Sequence, residues 1–272
     1  MKILVLTVLG VVGALEFASI EGGAPLQVCR LLTAMGQGMI YTAAHNLTDC
    51  GDFLSENLVV VKCDKVKSLE TEFVNSKAIR PFRDFVYERV VVSSKPAQVC
   101  FSMKYFGPSL AAIRDKEPRG TIWSWSTVAS LGLRIVSQLQ LVHESGFAHT
   151  DLHFLNVVPT QRSVKDLFSL IESELVIIDF GDAVKIDGRD FDSLLRLVQN
   201  DLMQVMVALR YLVDGDYKFY VEKRYGFDPK KAMKRGEICI DAPRQYCDIL
   251  TYIYHLKGTP DYGSIFAQLS EM

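Results

Sequence analysis

Hydrophobic positions along the chain fall into two regimes. Up to about residue 105 they come in short runs. Leu26–Leu32 and Met39–Ala43 flank Gly36-Gln37-Gly38 and predict a hairpin, and Leu58–Lys62 predicts a third strand ending in lysine. In Val66–Ile79 the apolar residues Val66, Leu69, Phe73 and Ala78 stand close to helical spacing, and two more strands follow at Phe85–Val92 and Gln98–Met103. Beyond Tyr105–Pro108 the pattern becomes helical. Val128, Leu131, Leu133, Ile135, Leu139 and Leu141 predict a long helix with Ser126 as N-cap, followed by a loop at His149–Asn156 and a strand at Leu175–Asp179. Phe191–Leu212 reads as one or two buried helices, and Tyr246–His255 and Ser264–Met272 as shorter ones. The expected class is α+β, with a β-rich first half that holds one helix and a mainly helical second half.

Composition narrows this picture. The 272 residues suffice for one large domain or two packed lobes, and 49% hydrophobic with 23% charged residues is ordinary for a globular chain with a sizeable core. The formal net charge of -2 leaves no global basic field to gather phosphate backbones, so no nucleic-acid partner is expected. No repeat of 20 to 50 residues is present, which excludes solenoids.

The first residues bear on compartment. Met1-Lys2 precedes the apolar run Ile3–Ala14, too short to cross a bilayer but suited to a signal-peptide core, with small residues at Val12-Gly13-Ala14 for cleavage. The expectation is a signal peptide over 1–14, reaching about 24 at most; the alternative is a buried first strand. After its removal no membrane span is expected. The six cysteines, Cys29, Cys50, Cys63, Cys100, Cys239 and Cys247, could pair in an oxidising lumen or remain buried thiols. Asn46-Leu47-Thr48 is a glycosylation sequon in a loop and agrees with secretory passage.

Four chemical elements occur in order: the glycine-containing hairpin, the strand ending at Lys62, His149-Thr150-Asp151-Leu152-His153-Phe154-Leu155-Asn156, and Val176-Ile177-Ile178-Asp179-Phe180-Gly181. Each alone is weak. Together, with the H-x-D-x-x-x-x-N spacing, they resemble the signature set of protein kinases. Phosphoryl transfer needs a cation on nucleotide phosphates, oxygen ligands for Mg²⁺ and a carboxylate beside the attacking hydroxyl. Lys62, then Asn156 with Asp179, then Asp151 supply these. A carboxylate of the Val66–Ile79 helix would hold Lys62, with Glu72 preferred and Glu70 as the other candidate.

The chain resembles the casein kinase I branch of the eukaryotic protein kinases, from about Leu26 onward. Met103-Lys104-Tyr105-Phe106-Gly107-Pro108-Ser109-Leu110 is similar to that branch's hinge, which implies Met103 as gatekeeper and Lys104, Tyr105 and Phe106 as adenine-contacting backbone. Thr127-Val128, Ile135, Ser137, Leu139, His143 and Gly146-Phe147 are similar to its helix before the catalytic loop, and Pro260-Asp261-Tyr262 with Phe266 to its final helix. The resemblance implies ATP and Mg²⁺ as cofactors, with Gly36 and Gly38 covering the phosphates.

Departures are as informative. The glycine loop lacks its third glycine, Thr150 replaces the catalytic-loop arginine, and His153 stands where serine/threonine kinases carry lysine. His153 is also similar to haspin and to kinases of small molecules. Asp201, similar to the branch's buried helix aspartate, follows Asp179 by only 22 residues, too few for a full activation segment. Lys218, Lys223, Arg224, Lys230, Lys231, Lys234 and Arg235, interleaved with aromatics, form either an anion-binding surface or a solvated face.

The expectation is therefore a two-lobed kinase-like fold, with an N-lobe over 25–106 and a C-lobe over 107–272 that carries a shortened activation segment. The expected activity is that of a secreted or lumenal serine/threonine kinase acting on acidic or already phosphorylated protein. A pseudokinase that binds a host or lumenal partner protein is the alternative, and a small-molecule kinase the third reading.

Overall fold

The computed structural model describes residues 16–19, 24–35, 38–52, 54–63, 66–92, 95–118, 120–186, 191–215 and 237–272. The chain divides into two compact units, one of residues 1–70 and 87–105 and the other of 71–86 and 106–272. The expected signal segment 1–14, the Gly36-Gln37 turn and the basic stretch 218–235 lie outside the described residues.

The first unit is a closed antiparallel barrel of β1 (Glu16–Ser19), β2 (Leu26–Met35), β3 (Gly38–Ala44), β4 (Val59–Cys63), β5 (Val86–Val92) and β6 (Lys95–Lys104), in the order β1-β2-β3-β4-β6-β5. Five of these strands follow the hydrophobic pattern to within a few residues. The sixth, β1, pairs with β2 through Glu16↔Gln27 and with β5 through Phe17↔Val92. It directly follows the long apolar run 3–14, which hides a four-residue strand from any reading by alternation. On β4, Val59, Val61 and Cys63 are buried while Val60 and Lys62 are half-buried, the period of two that a half-covered strand requires. Leu26, Tyr41, Ala43, Val90 and Cys100 complete that core.

The cysteines are paired. Cys29–Cys50 ties β2 to the turn after β3, Cys63–Cys100 joins β4 to β6 at a directly opposed register position, and Cys239–Cys247 closes a short loop in the second unit. No free cysteine remains among the described residues.

Helix α1 (Val66–Ala78) runs across the division between the units. The second unit contains α2 (Leu110–Arg114), α3 (Trp125–Glu144), β7 (Phe147–Ala148), β8 (Val157–Pro159), α4 (Leu167–Ile171), β9 (Leu175–Ile177), β10 (Val184–Lys185), α5 (Phe191–Asp214), α6 (Arg244–Tyr254) and α7 (Tyr262–Ser270). Val128, Leu131, Ile135, Val136, Leu139 and Val142 form the buried stripe of α3, which packs on α5 and α7. The N-cap of α3 is Ser124 rather than Ser126. Ser124 is the serine with extended backbone, and its Oγ accepts the Thr127 N–H at 3.2 Å, whereas the Ser126 hydroxyl bonds only to Ser124. The other end of α3 stops at Gly146, whose φ of 83° reverses the chain into β7. The 191–212 region is one continuous helix, α5, reaching Asp214. Among the described residues no helix is long and apolar enough to cross a membrane.

Candidate active site

The loop between β7 and β8 is organised by a side chain from α5. Asp201, fully buried, accepts the main-chain N–H of His149 at 2.7 Å on Oδ2 and that of Thr150 at 2.7 Å on Oδ1. Its Oδ2 also lies 2.9 Å from His143 Nε2, and the other nitrogen of that imidazole meets the Tyr262 hydroxyl. Burial, with the Asp201 charge next, raises the Tyr262 phenol well above its ordinary range, so it stays protonated. A buried carboxylate with three such partners is satisfied rather than reactive, and Asp201 is a structural anchor.

His149 has its tautomer set by its neighbours. Nε2 lies 3.0 Å from the Ile178 carbonyl oxygen and must donate, which leaves Nδ1 to accept the Asp151 N–H at 3.3 Å. Thr150 adopts φ 66°, in the left-handed region that a β-branched residue enters only when its surroundings hold it there.

Asp151 emerges from this buried frame with its side chain about half exposed, at 46%. His153 Nε2 stands 3.3 Å from Asp151 Oδ2 and 3.4 Å from Asn156 Nδ2. When that nitrogen carries a proton it donates to the Asp151 carboxylate. Asn156 ends a single turn of tight helix over Phe154–Asn156, is buried, and donates from Nδ2 to the Asp151 carbonyl oxygen at 3.0 Å. Its own carbonyl accepts the Ile178 N–H at 2.9 Å, which joins this loop to the strand leading into Asp179.

Asp179 is half-buried at φ 68°, a second left-handed residue outside glycine. The chain after it is fixed by packing and by α1. Phe180 is fully buried against Phe82 and His149, with ring centroids 5.2 and 5.1 Å away. Asn75 donates from Nδ2 to the carbonyls of both Phe180 and Ala183, at 3.2 and 3.0 Å. Glu72, one turn earlier on the same face and only 6% exposed, also reaches this segment. The point a Cβ would occupy on Gly181 is 3.6 Å from Glu72 Oε2 and 3.6 Å from Asp179 Oδ1, so the two carboxylates flank one glycine. Asn75 was absent from the sequence expectations. No local signal in the sequence marks it, since its partners are main-chain carbonyls more than a hundred residues away.

Asp151, Asn156, Asp179 and Glu72 belong to the second unit, as does the buried Phe106 of the expected hinge, while the remaining expected residues lie in the first. Lys62 is half-buried on β4, opposite Ile40 of β3 and Phe101 of β6. Met103 is buried near the end of β6, and Lys104 and Tyr105 follow it half-buried. Gly38 opens β3, and Gly36 lies outside the described residues. Glu70, the other candidate carboxylate, is half-exposed and pairs with Arg89 at 3.0 Å.

The donor chemistry suits Mg²⁺. Asn156 Nδ2 is taken up by the Asp151 carbonyl and lies 3.4 Å from His153 Nε2, which leaves its side-chain oxygen as a hard donor of the kind that, with the Asp179 carboxylate, would suit the cation. Among the described residues no three His, Cys, Asp or Glu side chains cluster into an all-protein metal cage. A cation held by one carboxylate, one amide and nucleotide phosphates needs none.

No protein-family model matches the sequence, and no curated protein matches it. The fold does have a counterpart among solved structures. The chain is similar to the structure of vaccinia related kinase 3, at a TM-score of 0.64 and 14% identity, over 97% of this chain and 92% of that one. The fold is kinase-like and α+β, with an antiparallel β region followed by a helical one.

Proposed function

We propose that this protein is a phosphotransferase of the casein kinase I-like serine/threonine type, moving the γ-phosphoryl of Mg·ATP to a hydroxyl on acidic or already phosphorylated protein. The observation that carries the reading is Asn156, whose side-chain amide donates to the Asp151 carbonyl while its main-chain carbonyl accepts the Ile178 N–H. The Asn156 side chain thus braces Asp151 while its backbone joins the loop to the strand that leads to Asp179, and a chain freed from catalysis has no physical need for a carboxylate at both Asp151 and Asp179. Asp151 orients the acceptor hydroxyl and takes its proton. Asn156 and Asp179 hold Mg²⁺, which when bound neutralises charge on the phosphates. Lys62 is assigned to the nucleotide phosphates and Glu72 to holding Lys62, while Met103, Lys104 and Tyr105 are assigned to the adenine side, with Gly36 and Gly38 over the phosphates. The paired cysteines support an oxidising lumen or the exterior as its place of action, as does the apolar run near residue 1.

A pseudokinase serving as a scaffold for a partner protein is the second reading. It is favoured by His153, which supplies less positive charge to a transferred phosphoryl than lysine does. Labelled Mg·ATP with casein, phosvitin and a panel of small hydroxyl compounds separates the cases. Transfer to casein or phosvitin that disappears in Asp179→Ala supports the proposal, and transfer only to a small molecule reassigns the substrate. Folded protein that binds nucleotide without turnover transfers the assignment to the scaffold.

A further inference from the structure

Gln204 lies one helical turn beyond Asp201 on α5, and its two amide atoms grip the peptide groups on either side of Asp151. Oε1 accepts the Leu152 N–H at 2.9 Å, and Nε2 donates to the Thr150 carbonyl at 3.1 Å. With Asp201 accepting from residues 149 and 150, and His149 Nδ1 from residue 151, every main-chain N–H from His149 to Leu152 ends on a side chain. None of these four bonds belongs to regular secondary structure. Three of the four end on α5, so the loop shape is set chiefly from that helix, at a point where Thr150 is held at φ 66° against its own preference. Thr150 passes the constraint onward, since its hydroxyl donates to the Asp182 carbonyl at 2.8 Å, three residues after Asp179.

Resting on the phosphotransfer reading, we infer that Gln204 is a positioning residue that sets the location of the Asp151 carboxylate, and through Thr150 the segment following Asp179. Its amide is suited to this because one end must accept and the other donate. A glutamate keeps the acceptor for Leu152 but presents an oxygen to the Thr150 carbonyl, and a methionine of similar length supplies neither bond.

The test compares the full chain with Gln204→Met and Gln204→Glu in three readouts: kcat and KM for ATP with casein, the Kd for Mg·ATP, and amide hydrogen exchange over residues 149–152. The expected result is a kcat at least tenfold lower in Gln204→Met, with KM and Kd for ATP within twofold, exchange at Leu152 at least tenfold faster, and Gln204→Glu intermediate. Unchanged kcat and exchange overturn the inference. So does a parallel collapse of kcat, nucleotide affinity and melting temperature in both variants, which marks Gln204 as general scaffolding. Should the wild-type chain transfer no phosphate, the phosphotransfer reading falls by itself. Exchange then judges the clamp: faster exchange at Leu152 alone supports it, and unaltered exchange overturns it.

Discussion

Asn156 donates to the carbonyl oxygen of Asp151 across 3.0 Å, so the amide assigned to the metal also braces the residue assigned to the acceptor hydroxyl. Substitutions at the two positions are therefore coupled. Asp151→Asn is expected to lower kcat by about 10²- to 10⁴-fold, the usual contribution of a positioned acid or base, with little change in KM for ATP. Asn156→Ala is expected to lower kcat and also to raise the Mg²⁺ concentration needed for half-maximal rate. The double variant should fall well short of the product of the two losses, because residues acting as a unit are not additive. Steady-state rates across a Mg²⁺ titration provide the check, and a fully multiplicative double variant contradicts the coupling.

Asp201 makes a different prediction, on stability. Its carboxylate takes two main-chain N–H groups and faces His143 with no exposure to water. In Asp201→Asn one oxygen becomes an amide nitrogen, which turns a hydrogen toward at least one of those donors. A loss of about 2–4 kcal/mol in urea unfolding is expected, the range for leaving buried polar partners unmatched. A loss below about 0.5 kcal/mol is the scale of ordinary surface changes and would remove Asp201 as the anchor of the loop.

The two neighbouring glutamates of α1 separate cleanly. Glu70 meets Arg89 at a partly exposed surface, where such pairs contribute roughly 0–1 kcal/mol, so Glu70→Gln should leave both unfolding and transfer nearly unchanged. Glu72 is buried beside the Asp179 segment, and Glu72→Gln should lower kcat/KM for ATP by at least tenfold. Equal effects of the two substitutions on kcat/KM count against assigning Glu72 to Lys62.

Much of the fold was legible because its elements obey simple periods. The barrel strands β2 to β6 alternate or run apolar between turn residues, and α3 and α5 repeat their apolar positions every three to four residues. What the pattern could not convey follows from three-dimensional closure. Strand β1 has four residues, too few for a period to declare itself, and it exists because β2 and β5 both offer it an edge. The cap of α3 depended on which of two serines had extended backbone. Asp151, Asn156 and Asp179 stand out in the sequence because the motif they resemble fixes residue types at fixed spacing. Asn75 and Gln204 do not, since an amide that braces main-chain carbonyls and N–H groups from another element leaves no local trace. The cysteine pairing was equally hidden, as six cysteines admit 15 connectivities.

The bond between Cys63 and Cys100 has a consequence for how the barrel is assembled. The two residues are directly opposite on β4 and β6, and both side chains are wholly enclosed in the core. Because successive side chains on a strand alternate faces, a slip of one residue would send Cys63 outward and carry Lys62 into the apolar interior. The covalent link makes that slipped pairing unreachable: once the sulfurs have joined, strand alignment is a matter of covalent connectivity rather than of competing hydrogen-bond ladders. Chain made where thiols stay reduced lacks this pin, so Lys62 is delivered to its proper face most securely by oxidation during folding.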